Sequence, residues 1–384
     1  MSLRIALLTY ATKPRGSVIH TLELAQALKD LGHSPCVFAL DKDGQGFHRQ
    51  VEFQTAAVPA KPCDRNIDQL IQQRIGEFVS FFQQHTEKYD IYHAQDCLSA
   101  NALAILKQQG RIPHFVRTVH HIEDFQSPYL QDCQEKSIYQ PDRCLCVSDI
   151  WQQALKADYN IQAHRVINGV SSRFCAQPNG SEATLARGYG IHNGPVFLTV
   201  GGIEPRKNSI NVLKAFHQLR QQQPQAQLVI AGGATLFDYQ VYRQEFMELV
   251  TAYDLADSLV LPGVVPDADL PVLYRLADAF VFPSVQEGWG LVVLEAIASG
   301  LPVLTSNQPP FTEFLSAQTA ILVEPEDVGA ISTAMLNLLN PDISQPLIQN
   351  SRLIISQYSW QQSAAMHLEL YTRLASGDNS LRCT

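Results

Sequence analysis

Neither half of this chain is basic. Of its 384 residues, 28 are Lys or Arg and 37 are Asp or Glu, a net charge of −9; residues 1–180 carry 18 of each sign, while residues 181–384 carry 10 basic against 19 acidic. Bulk-charge binding to nucleic acid or anionic lipid is therefore not expected, because both draw on clustered Lys and Arg to displace counterions. A small local basic site is compatible with the balance, and so is peripheral membrane contact. No stretch approaches the roughly 20 consecutive apolar residues that span a bilayer. The opening segment "MSLRIALLTYATK" has an apolar run too short for a secretory signal and no small-residue cleavage site, so it reads as a first strand. The eight cysteines (36, 63, 97, 133, 144, 146, 175 and 383) contain no CxxC pair, and the twelve histidines form no HExxH or paired Cys/His spacing. Neither a zinc site nor a disulfide framework is expected, and the thiols read as reduced in a cytoplasmic protein.

What remains is ordinary globular material, 46% hydrophobic and 17% charged, with no low-complexity tract and no repeat of solenoid length. A chain of this length exceeds one ordinary core, so two domains are expected. Short β-branched runs alternate with helical periodicity. Arg4 to Thr9 reads as a strand, Val18 to Leu31 as a helix with Val18, Leu22, Ala25 and Leu28 on one face, and Ser34 to Leu40 as a strand. Further strands are expected at Ile91 to His93, Phe115 to Val119, Arg143 to Val147 and Val166 to Ile167, with helices over 67–84 and 100–109. Around 171–194 turn formers accumulate and the pattern stops. It restarts with strands at Val196 to Val200, Gln227 to Ile230, Leu259 to Leu261, Ala279 to Phe282 and Leu301 to Thr305, and beyond Glu326 the chain reads as helical to about Leu374.

The fold class this predicts is α/β, with two Rossmann-like doubly wound domains facing across a cleft at the carboxyl ends of their strands. The expected boundaries are 1–172 for the first domain, 173–194 for a linker and 195–358 for the second. A helix from 359 should return toward the first domain before a tail to 384.

Two clusters carry chemistry. In "PSVQEGWGLVVLEAIASGLPVLTS" (283–306) a glycine-flanked loop feeds a helix N-terminus, where unpaired amides and the dipole suit a phosphate. Glu295 lies a turn inside that helix, able to accept hydrogen bonds from a sugar diol, and Glu287 stands in the loop on the other side of the same anion. Read alone, the spacing is weak evidence, and the two glutamates are more simply a solvated helix charge and a loop charge. In "VGGIEPRKN" (200–208), directly after a strand, glycines permit close backbone approach while Arg206 and Lys207 supply cations for a pyrophosphate; alone, this is also a tight turn with a solvated basic pair.

The order of "GGIEPRKN", "PGVV" (262–265) and "FVFPSVQEGWGLVVLEAIASGLPVLTS" resembles the nucleotide-sugar domain of family 4 retaining glycosyltransferases of the GT-B fold. The first half is similar through "VHH" (119–121), "CVSD" (146–149) and "VINGV" (166–170). The resemblance implies that Glu295 binds ribose hydroxyls, that Glu287 stands beside the transferred sugar, and that the amides of Gly290, Leu291 and Val292 lie near sugar or diphosphate. It places Lys207 and Arg206 on the diphosphate, Val265 against the base edge and His120 facing the sugar. By spacing alone His120 is an ordinary strand-end histidine.

Two departures stand out. Gly202 occupies a position where the family commonly has arginine, and the acceptor loop "ATKPRGS" keeps only Gly16 of two glycines, with Arg15 in place of the other. Arg15 is then either a contact for an anionic acceptor or a solvated loop charge. The implied activity is retaining, metal-independent transfer of a hexose-type sugar from a UDP- or GDP-linked donor, with no further cofactor, to an unassigned glycan, lipid-linked or small-molecule acceptor. A sugar-nucleotide epimerase, a phosphorylase and a non-catalytic nucleotide-sugar binder are the competing readings.

Overall fold

The computed structural model describes residues 2–47, 49–63, 66–192, 194–233 and 239–377; the expected tail beyond them, with Cys383, lies outside the described residues. The chain divides into two compact units, Met1–Gly169 together with Tyr358–Thr384, and Val170–Gln357.

The first unit runs β1 (Arg4–Thr9), α1 (Gly16–Asp30), β2 (Ser34–Asp41), β3 (Gln54–Pro59), α2 (Ile67–Gln84), β4 (Ile91–Ala94), α3 (Cys97–Gln108), β5 (Val116–Val119), α4 (Pro128–Tyr139), β6 (Arg143–Cys146), α5 (Asp149–Tyr159) and β7 (His164–Arg165). Its seven strands are all parallel, in the order β3-β2-β1-β4-β5-β6-β7. The central strands read as continuous apolar runs because helices cover both faces. Ile5, Ala6, Leu7 and Leu8 are fully buried. Helix starts follow local capping chemistry: Asn66 accepts from the Gln69 amide, Asp96 and Ser99 form a capping box, and Ser127 precedes Pro128 at the first turn of α4.

The second unit runs α6 (Glu182–Tyr189), β8 (Val196–Val200), α7 (Ser209–Arg220), β9 (Gln227–Ala231), α8 (Gln240–Ala252), β10 (Leu259–Gly263), α9 (Leu270–Leu276), β11 (Ala279–Phe282), α10 (Leu291–Ala298), β12 (Val303–Ser306), β13 (Ile321–Val323), α11 (Val328–Leu338) and α12 (Pro341–Ile355). Its sheet is again parallel, ordered β10-β9-β8-β11-β12-β13. Strand order reverses between β8 and β11, the position where open α/β sheets present a crevice to ligands. A last helix, α13 (Trp360–Ala375), capped by Ser359, belongs to the first unit. Its Tyr371 hydroxyl lies 2.5 Å from His93 Nδ1 on β4. Among the described residues no helix is long and apolar enough to cross a membrane.

Three expectations need correction. The segment 173–194, read as linker, contains helix α6, fastened to α9 by the Arg275–Glu182 pair at 2.8 Å. The strand expected at Val166 to Ile167 forms two residues earlier, as β7. Strands β3 and β13 have no counterpart in the sequence reading: both are edge strands, β3 mostly exposed and built from Gln, Thr, Ala and Pro as well as Val, so it carries little β-branched signal, and β13 only three residues long.

Candidate active site

The second unit gathers most of the candidate residues at the carboxyl ends of β8 and β11. After β8 the backbone enters Gly201 at φ +151°, and its N–H donates to Ala231 O at 2.8 Å. A Cβ on Gly201 would stand 3.2 Å from Lys207 Cε, so the glycine leaves the groove in which the lysine stem lies. Pro205–Lys207 make one 3₁₀ turn, closed by Asn208 in the left-handed region at φ +60°. The Asn208 amide donates to Pro283 O at 3.0 Å and Pro325 O at 2.6 Å. Asn208 thus ties the cationic turn to the loop after β11. Ser284 adds to the tie, its Oγ lying 2.6 Å from Arg206 O and 3.0 Å from Glu287 Oε1. The sequence reading gave neither residue a role. The one available signal was an asparagine after a basic pair, a residue type that tolerates the left-handed conformation.

These ties bring Lys207, Arg206 and Glu287 into direct contact. Lys207 Nζ donates to Glu287 Oε1, and Arg206 Nη1 reaches the same oxygen at 3.0 Å. Arg206 Nε also meets Glu204 at 3.2 Å, and Lys207 Nζ sits 4.5 Å from the centre of the Phe282 ring. Glu287 is therefore bound to the two cations instead of standing apart from them across an anion. Buried cations need a counter-charge, and Lys207, with a side chain 12% exposed, has it here. Burial and the neighbouring Arg206 bring the Lys207 ammonium down to about 8, against the pull of Glu287. Burial alone would raise the Glu287 carboxyl; Lys207 and Arg206 outweigh it and hold the carboxyl below its ordinary range.

The same loop ends at Gly290, φ +97°, which caps α10 without any side-chain hydrogen bond, while Trp289 is buried and stacks on Phe314 with centroids 4.7 Å apart. A Cβ at Gly290 would fall 2.6 Å from Phe311 Cε1, so both conformation and space require glycine. The amides of Leu291 and Val292 open the helix, and neither belongs to its internal ladder. Glu295 follows, 7% exposed, its Oε2 accepting from the Tyr274 hydroxyl at 2.8 Å. Tyr274 is fully buried, and burial together with the adjacent Glu295 pushes its hydroxyl well above its ordinary range. The sequence gave no warning of Tyr274, which reads as one apolar residue of α9. Val265, 9% exposed beyond β10, joins the apolar cluster that contains Tyr274 and Val293.

Gly202 has a physical reason to lack a side chain. Its Cβ would lie 2.6 Å from Gly233 O and 2.9 Å from Glu204 Oε1, because the backbones after β8 and β9 run against each other. Gly202→Arg is expected to lower stability by about 1 to 3 kcal/mol through overpacking and to gain no turnover. A variant melting at the parent temperature would show that the two backbones part readily.

In the first unit, His120 directly follows β5, partly exposed, with Nε2 3.0 Å from Gln95 Oε1. Burial, then His20 and Arg117, hold it neutral, well below the ordinary histidine range. Gly16 is the first residue of α1 and Arg15 its extended N-cap, with no side-chain cap bond. A Cβ on Gly16 would meet nothing within 4 Å, so sterics do not demand this glycine. Lys13 pairs with Asp43 at 3.0 Å.

Two Asp-x-Asp triplets that the sequence reading passes over are engaged structurally. Asp41 accepts from the Gly44 and Gly46 amides and Asp43 pairs with Lys13, while Asp267 pairs with Arg173 and Asp269 accepts from Tyr189.

Residues 14–173 match the family described as Glycosyltransferase Family 4, and residues 182–354 match Glycosyl transferases group 1. The O-antigen chain mannosyltransferase B of Escherichia coli is 27% identical over 278 residues, covering 69% of this chain and 71% of that one. A sucrose-phosphate synthase from Thermosynechococcus elongatus superposes with a TM-score of 0.79 at 22% identity, covering 98% of this chain and 100% of the other. The Anabaena protein HepE, solved in complex with UDP and glucose, gives 0.78 at 19% identity over 97% of this chain and 100% of its own.

Proposed function

We propose, from the premise that this chain belongs to the family 4 glycosyltransferases and carries their GT-B fold, that it transfers a hexose-type sugar from a nucleoside-diphosphate donor to an acceptor hydroxyl with retention of configuration. One arrangement carries the reading. Two cations and an open helix N-terminus converge where strand order reverses between β8 and β11, with the buried Glu295 a turn further on.

In the proposed reaction the bond between the anomeric carbon and the diphosphate oxygen breaks. The acceptor oxygen bonds to the same face of that carbon, and its proton passes to the leaving phosphate oxygen. Charge builds on the departing diphosphate, where Lys207, Arg206 and the α10 amides oppose it. Fixed cations and amides here supply what a divalent ion would, so the reaction is proposed as metal-independent. Glu287 is not the general base: a carboxylate held below its ordinary range by two cations is a poor proton acceptor at neutral pH. Its task is to hold Lys207 and Arg206 and to orient a sugar hydroxyl. Glu295, steadied by Tyr274, takes the ribose diol, and Val265 takes the base edge. Gly16 and Arg15 belong to the acceptor loop.

Incubation with UDP- and GDP-linked hexoses, with the anomeric configuration of the product read by NMR, tests the proposal. An inverted product, or recovery of an epimerised donor, would overturn it. Thermal-shift screening with UDP, GDP and ADP identifies the base, since a ligand at 100 times its Kd adds roughly 2.7 kcal/mol. HepE was solved with UDP and glucose, which favours testing uridine first. Glu295→Ala should weaken nucleotide binding by about 1.5 to 3 kcal/mol through lost charge-assisted hydrogen bonds. Unchanged affinity in the folded variant would remove Glu295 from the site.

A further inference from the structure

Behind His120 lies a buried hydrogen-bonded chain that the reaction above does not use. Gln95, 1% exposed after β4, places Oε1 3.0 Å from His120 Nε2 and its amide nitrogen 3.4 Å from both ring nitrogens of His93. Equal distances to the two nitrogens set that NH₂ over the His93 ring and not in its plane. The in-plane partners of His93 are the Tyr371 hydroxyl, 2.5 Å from Nδ1, and Thr118 Oγ1, 2.8 Å from Nε2. An N–H over an aromatic face is attractive, whereas a carbonyl oxygen there is repelled by the negative face. The Gln95 amide therefore has one orientation, with its oxygen toward His120.

An amide oxygen has no proton to give, so the short contact requires the proton on His120 Nε2 and leaves the lone pair on Nδ1. Nδ1 has no protein partner among the described residues. After burial, the largest influences on His120 are His20, Arg117, His121 and His93. His20 lies edge-on to it with centroids 4.7 Å apart, fully buried and bonded through Nδ1 to Asn168 Oδ1 at 2.7 Å. No carboxylate is among these groups to stabilise an imidazolium.

We propose that Gln95 is a positioning residue that fixes His120 as the neutral Nε2-protonated tautomer, leaving Nδ1 as a hydrogen-bond acceptor, with Gln95 itself held by His93 between Thr118 and Tyr371 of α13. That this acceptor serves sugar transfer rests on the function proposed above; the tautomer does not.

The test is the long-range ¹⁵N–¹H spectrum of the ¹⁵N-histidine-labelled full chain, with His120 assigned by the signals lost in His120→Gln. The expected result is a pyrrole-like Nε2 and a pyridine-like Nδ1 throughout roughly pH 6 to 8. Gln95→Leu should give the averaged shifts of a tautomer mixture and lower kcat about tenfold, with the donor KM within about twofold. Gln95→Glu keeps an acceptor but adds a charge, so His120 should then titrate inside that pH range. A proton on Nδ1 in the parent, or Gln95→Leu with unchanged tautomer and kcat, overturns the proposal. A parent with the Nε2–H tautomer and no transfer from any donor would overturn the transferase reading and leave the tautomer assignment standing.

Discussion

Lys207→Ala is expected to lower turnover by about 100- to 1,000-fold while the donor's KM changes far less. The reason is timing. A cation facing the leaving diphosphate interacts more strongly as the glycosidic bond breaks than it does in the bound donor, so the loss of about 2.7 to 4 kcal/mol falls on the barrier. Lys207 is well placed for this, with a stem in the groove beside Gly201 and a head that is buried and already oriented by Glu287. Arg206→Ala should do the same more weakly, because its side chain is 37% exposed and shared between Glu287 and Glu204. Steady-state kinetics at saturating donor check both. Normal turnover with a raised KM would mean that Lys207 holds only the ground state.

The same lysine sets two opposite pH trends. The proposed transfer requires it protonated, so kcat/KM should fall above about pH 8, where the free ammonium deprotonates. Stability runs the other way. The folded value, about 8, lies below the unfolded 10.5, so between those values the unfolded chain binds more protons and stability rises with pH. Lys207→Arg, which cannot deprotonate in this range, should abolish the alkaline limb. A limb that survives in that variant belongs to another group.

Glu287→Gln should unsettle both cations. With the carboxylate gone, burial and Arg206 still lower the Lys207 ammonium and only Glu204 remains to raise it. The alkaline limb of kcat/KM should therefore move down by about 1 to 3 units, the usual influence of an opposite charge at contact distance. Removing one partner of a buried ion pair should also cost about 3 to 5 kcal/mol of stability, a thermal midpoint roughly 6 to 20 °C lower. An unmoved limb with an unchanged midpoint would mean that Glu287 neither holds Lys207 nor compensates its charge, and the catalytic assignment would fall with it.

Much of this was legible in the chain itself. Parallel strands buried on both faces must be written as short continuous apolar runs, and helices between them as amphipathic repeats, so Arg4–Thr9, Val196–Val200 and Ala279–Phe282 announce themselves. Gly201 and Gly290 were legible because only glycine takes their backbone conformation beside a close neighbour. An edge strand such as Gln54–Pro59 was not, because half its surface meets solvent and any residue will do.

Within the candidate site the sequence by itself determined which residue types sit on which turn: the basic pair after β8, the glutamates on either side of the glycine loop, and the histidine after β5. Only the tertiary structure decided what each one touches. Glu287 lies 80 residues from Lys207 and Tyr274 21 residues from Glu295, yet each pair is in hydrogen-bond contact. His93 and Tyr371 meet across 278 residues. Such pairs carry no spacing signal, because the strand order β8 to β11, or the return of α13 to the first unit, creates the contact. Gly202 belongs to the same class. Its bareness looked like a missing cation in the chain and proves in the fold to be the space that the backbone after β9 requires, since two main chains at van der Waals distance leave no volume for a Cβ.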